Sequence, residues 1–153
     1  MSQKQALKPV LVHHISIQAS PETVYQYLTQ ADLLERWFPK KARTEPTVGG
    51  ELHYEFLHSG AQHNIEGRYL ELVPHQKVVY SWQQPLEKGR QWANLTVTFR
   101  LEAQGSGTDL YLEESGFRDD AAHLEFQGER TQGWSFFFTN LKSVLEEGAD
   151  HRD

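Results

Sequence analysis

Cysteine is absent from the 153-residue chain, which excludes disulfide frameworks, thiolate zinc sites, iron–sulfur clusters and a cysteine nucleophile. Positive charge is also in short supply: 15 Lys and Arg against 21 Asp and Glu leave a net charge of −6. A non-specific grip on nucleic acid needs a basic face, so that partner is not expected. Long apolar runs are missing too. An uncharged stretch such as Thr131–Leu141 falls far short of the about 20 apolar residues that cross a bilayer. The N-terminal residues MSQKQALKPV lack the apolar run of a signal peptide. A cytoplasmic protein with no membrane partner is the expectation. No repeat or linker divides the chain, which reads as a single domain over residues 1–153. Its ordered core is expected over about residues 10–147, with flexible termini.

The pattern that is present changes period twice. Val10 to Gln18 places Leu11, His13, Ile15 and Ile17 on one face, as a strand does. Ser20 is then a good N-cap and Pro21 suits the first helical position. Val24, Tyr25 and Leu28, then Leu33, Leu34, Trp37 and Phe38, recur at helical spacing. A break at Ala31 or Asp32 divides them into two short helices, and Pro39 ends the second. From Lys40 to Gly116 the period is two, with turn signals at Val48-Gly49-Gly50, His58-Ser59-Gly60, Val73-Pro74-His75-Gln76 and Gln104-Gly105-Ser106-Gly107. Short strands joined in this way make an antiparallel meander. Trp134, Phe137, Phe138, Leu141 and Leu145 return to helical spacing, with Gly148 as the stop. The polar stretch Arg118 to Gly128 is read as a loop or a mobile short helix.

The fold class is therefore α+β: a curved antiparallel sheet of six to seven strands around a long C-terminal helix, with two short helices after strand 1. A straight helix cannot follow a concave sheet everywhere, so a hollow is expected between them. Its walls would be Tyr54, Phe56, Tyr69, Tyr80, Trp82 and Phe99 from the sheet and Trp134, Phe137, Phe138 and Leu141 from the helix, with Trp37 at the entry. Rings with polar tips suit an apolar pocket that holds a small hydrophobic or amphipathic molecule. Aromatic stripes at helical or strand spacing usually form just a closed core.

Several segments resemble a known family: I-x-A-S-P-E-T-V-Y at Ile17–Tyr25, L-L-E-R-W-F-P at Leu33–Pro39 and V-G-G-E-L at Val48–Leu52. E-G-R-Y-L-E-L-V-P at Glu66–Pro74, V-V-Y-S-W at Val78–Trp82, T-V-T-F-R-L at Thr96–Leu101, G-T-D-L-Y-L at Gly107–Leu112 and Gly133-Trp134 continue the likeness. Together they resemble the helix-grip fold of the START and birch-pollen-allergen-like (SRPBCC) superfamily, and within it the activator-of-heat-shock-protein-90-ATPase-like family. The resemblance implies a ligand held between sheet and helix and, in a few members, a cyclase or hydratase reaction. Eukaryotic members stimulate the chaperone's ATPase but carry a further N-terminal domain. No cofactor is expected; a chaperone or a second copy, contacting the sheet's outer face or a Trp37-Phe38 patch, is a partner expectation.

Among ionisable residues Glu114 stands out. If Leu110 and Leu112 point inward, so does Glu114, and a desolvated carboxylate is a candidate acid, base or ligand anchor. The alternative is a wet rim, because Ser115 and Gly116 mark the strand end, and Glu113, Glu114, Asp119, Asp120 and Glu125 would then form one solvated acidic face. No catalytic residue is assigned beyond that candidate. His13 reads as a core or rim histidine. His53, His58 and His63 are regularly spaced, but their register does not converge on one ion, so no metal is expected. Arg43 and Arg68 are candidate carboxylate receptors at a cavity mouth, or solvated surface charges.

Overall fold

Ser20 ends the first strand and starts the first helix, as its position before Pro21 requires. Its hydroxyl accepts the N–H of Thr23 at 3.1 Å, a cap worth about 1 kcal/mol. The computed structural model describes residues 10–58, 61–85, 92–117 and 121–152, without the side chains of residues 58, 61, 84–85, 92–93 and 121–126. Strand β1 (Val10–Ile17) is followed by α1 (Pro21–Thr29) and α2 (Ala31–Leu34). The break falls at Gln30, whose N–H bonds back to Gln26 from extended backbone. Six more strands follow: β2 (Lys41–Thr44), β3 (Glu51–His58), β4 (Ala61–Val73), β5 (Lys77–Pro85), β6 (Trp92–Gln104) and β7 (Gly107–Ser115). The last element is α3 (Ala121–Glu147).

All strand pairs are antiparallel and the sheet order is β1-β7-β6-β5-β4-β3-β2. The expected helix-grip architecture is present with seven strands. Inward positions alternate as the pleat demands, and Leu52, Gly67, Trp82 and Leu95 lie in one cross-strand row. Gly67 is required in that row: a Cβ there would collide with the Ser81 carbonyl oxygen. A register shift between Tyr69 and Glu71 leaves Leu70 exposed.

One expectation is corrected. Residues 121–128, read as a loop or a mobile short helix, are the first turns of the 27-residue α3; 118–120 lie outside the described residues. The polar composition hid the helix. Gly128 and Gly133 are tolerated because they face open space, where a Cβ would touch nothing within 4 Å. Gly148, at φ +70°, stops α3 as expected.

The chain then folds back on the α2–β2 loop. The Arg152 guanidinium donates to the carbonyls of Glu35, Phe38 and Pro39 at 2.6, 3.2 and 2.8 Å. Buried Asn140 donates to the Trp37 carbonyl at 3.0 Å and accepts the His151 N–H at 2.7 Å. This clamp fixes Trp37 and Phe38 over the end of the aromatic core.

Candidate functional site

Glu114 is fully buried on the inward face of β7, at 0% exposure. The alternation of Leu110, Leu112 and Glu114 carries it there, and the wet-rim and acidic-face readings do not hold for it. A carboxylate in that position needs hydrogen-bond donors, and four reach it. Oε1 accepts the Trp134 indole N–H and Arg130 Nε–H, both at 2.8 Å. Oε2 accepts the Trp82 indole N–H at 2.9 Å and Arg130 Nη2–H at 2.8 Å. The guanidinium is bidentate and also lies over the Trp82 ring at 5.0 Å and the Trp134 ring at 5.8 Å. Arg130 was not singled out from sequence. The signal for it was its spacing, one helical turn before Trp134, once α3 is extended to Ala121. With two hydrogen bonds accepted by each oxygen, Glu114 ties α3 to β5 and β7.

Around this cluster the expected wall residues do converge. Phe38 is the hub. Its ring centroid lies 4.8 Å from Trp37, 5.1 Å from Phe56, 4.9 Å from Phe137 and 5.3 Å from Trp134. Tyr54 meets Tyr80 at 6.4 Å and Trp82 at 6.1 Å, both edge-on. Phe99 bridges Trp134 and Phe138 at 5.8 and 6.1 Å. Leu141 and Tyr69 are fully buried, whereas Phe56 and Phe137 are only partly buried. Rings therefore meet rings throughout the space between sheet and helix.

The hydroxyls of Tyr69 and Tyr80 are buried in that interior. Tyr69 has Tyr54 and Thr44 within hydrogen-bonding reach. The Tyr80 hydroxyl finds no partner among the described residues, and Glu114 and Arg130 are its charged neighbours. A buried hydroxyl without a partner costs about 1–3 kcal/mol. Burial also raises the pKa of Tyr54, Tyr69 and Tyr80 above the ordinary 10.0, because the phenolate has no water to solvate it. The folded state then keeps protons that the unfolded state releases above pH 10. Stability from these phenols is complete below that pH and is lost as pH rises beyond it. Alkaline unfolding followed by circular dichroism should consequently move to higher pH in Tyr80→Phe.

The remaining candidates lie elsewhere. His13 is partly buried, its ring 5.2 Å from Phe138, and desolvation followed by the nearby His14 lowers its pKa below 6.5. Arg43 and Arg68 are exposed on the outer face of the sheet. Arg68 bonds Glu51 at 3.2 Å and the Gly49 carbonyl at 3.1 Å. His53 faces Glu66 across the ladder on that outer side, His63 lies opposite Phe56, and the His58 side chain is outside the described residues. Among the described residues no three such groups gather to hold a metal ion. The outer face carries a shallow groove of about 330 Å³ between Glu51, His53, Glu66, Arg68, Gln83 and Asn94. These side chains largely pair with one another, His53 with Glu51 at 3.1 Å and Gln83 with Asn94 at 3.0 Å.

Comparison with known proteins decides the family. The model of the Activator of Hsp90 ATPase homolog 1-like family matches residues 18–146. The chain belongs to that family. The human Activator of 90 kDa heat shock protein ATPase homolog 1 is 28% identical over 132 residues, covering 85% of this chain and 35% of that protein. The chain thus spans about a third of the length of the curated relatives it matches. Among solved structures, protein MLL2253 of Mesorhizobium loti is 26% identical with a TM-score of 0.79, covering 92% of this chain and 99% of that one. The Aha1 dimer of Colwellia psychrerythraea is 25% identical with a TM-score of 0.75, covering 92% and 98%. No described helix is long and apolar enough to cross a membrane.

Proposed function

We propose that this family member binds a small hydrophobic or amphipathic molecule between the sheet and α3, its polar end on the Tyr80 hydroxyl. The buried Tyr80 hydroxyl, which finds no hydrogen-bond partner among the described residues, carries this reading. Such a group is costly in a merely closed core and becomes favourable once a ligand atom bonds it. The ligand enters at the partly buried Phe56 and Phe137, whose centroids are 6.0 Å apart, and displaces ring–ring contacts as it does so. Burial of about 200 Å² of ligand apolar surface supplies about 5 kcal/mol before those costs.

The test is a titration of fatty acids and aromatic metabolites, read by tryptophan emission from Trp82 and Trp134. Binding is expected, and Tyr80→Phe should weaken it by about five-fold, one net hydrogen bond of about 1 kcal/mol. Equal affinity in both proteins would remove the hydroxyl from the site. A second reading is a partner surface for another copy of this chain; the dimeric Aha1 of Colwellia psychrerythraea favours it.

A further inference from the structure

The two edges of the sheet are treated differently. Strand β2 is short, and Lys41 and Arg43 are exposed along it; charge and brevity are the usual protection against pairing with another strand. The other edge, β1, is eight residues long, and its sequence VLVHHISI contains no Lys, Arg, Asp or Glu. One side of β1 pairs with β7 along its whole length. The opposite side is covered at one end only: Lys142 Nζ donates to the Ser16 carbonyl at 2.7 Å, and the Gln18 N–H donates to Glu146 at 2.7 Å.

Those two contacts fix the parity of the edge. In an antiparallel ladder a residue's N–H and C=O point to the same side, alternating along the strand. Ser16 and Gln18 point away from β7, so Val10, Val12 and His14 do as well. Among the described residues nothing bonds the main chain of Val12 or His14 on that side. The Val12 side chain is 69% exposed and that of Val10 38%.

We infer that the Val10–His14 half of β1 is the surface through which two copies of this chain pair, antiparallel about a two-fold axis at Val12. This rests on the second-copy reading given above and adds the interface. Centred there, Val12 faces Val12 of the partner subunit, and Val10 faces His14 of the partner subunit. The pairing stops short of Ser16, which α3 already covers. Open main-chain donors and acceptors in strand geometry are satisfied by another strand. Val10–His14 itself brings no Lys, Arg, Asp or Glu to the contact, and the exposed Glu113 lies one strand further in, opposite Val12. A two-fold operator makes the contact close after two subunits.

Sedimentation of the full chain and an isotope-filtered NMR experiment on mixed labelled and unlabelled protein test it together. The expected result is a dimer with contacts between the Val12 methyl groups of the two subunits. Val12→Lys should shift dissociation at least ten-fold toward monomer, with an unchanged circular dichroism spectrum. Val12→Pro should do the same, since the Val12 N–H makes no bond to β7. A dimer without inter-subunit Val12 contacts overturns the β1 interface while leaving the second-copy reading intact. A wild-type monomer across the concentration range overturns both.

Discussion

Arg130→Met is expected to destabilise the protein by about 3–5 kcal/mol in denaturant unfolding, the cost of stranding one member of a buried ion pair. The guanidinium supplies two of the four donors to a carboxylate with no exposure to water. Without it, the two indole N–H groups alone must hold the charge. The combined change Glu114→Leu with Arg130→Met should recover most of the loss, because apolar replacement of an entire buried pair is often neutral or better. A cost below about 1 kcal/mol for Arg130→Met would show that the pair behaves as a surface salt bridge and does not fasten α3 to the sheet.

Phe38→Ala should cost a similar about 3–5 kcal/mol, the usual range for deleting a buried phenylalanine ring. Six aromatic neighbours surround Phe38, from Trp37 at 4.8 Å to Trp82 at 6.2 Å. The backbone around it is held by Arg152 and Asn140, so the space should not collapse fully. The variant is therefore expected to bind a small aromatic probe such as indole more tightly than the wild type, read by calorimetry. Loss of stability without any gain in probe affinity would mean that the neighbours refill the space.

How much of this was legible beforehand differs by element. Period-two alternation from Lys40 to Gly116 marked the meander, because each strand buries one face. Ser20-Pro21 marked the first helix because the cap is local chemistry. The first turns of α3 read only as a loop or a mobile short helix because Gly128 and Gly133 interrupt the run ahead of Trp134. Glu114 was visible as an inward residue by counting from Leu112. Its surroundings were not: Arg130 and the two indoles come from α3 and β5, and only the register of those elements brings them to one carboxylate. The Tyr80 hydroxyl, buried without a partner among the described residues, could not be foreseen either, since partner atoms are a property of packing. The same holds for the clamp of Arg152 on Glu35, Phe38 and Pro39, which joins residues more than a hundred positions apart.

Native mass spectrometry of the freshly purified chain tests the proposed ligand site most directly. The account expects a bound small molecule, released by organic extraction and retained less by Tyr80→Phe than by the wild type. A bare polypeptide mass that stays bare after incubation with the fatty-acid and aromatic panel would contradict it.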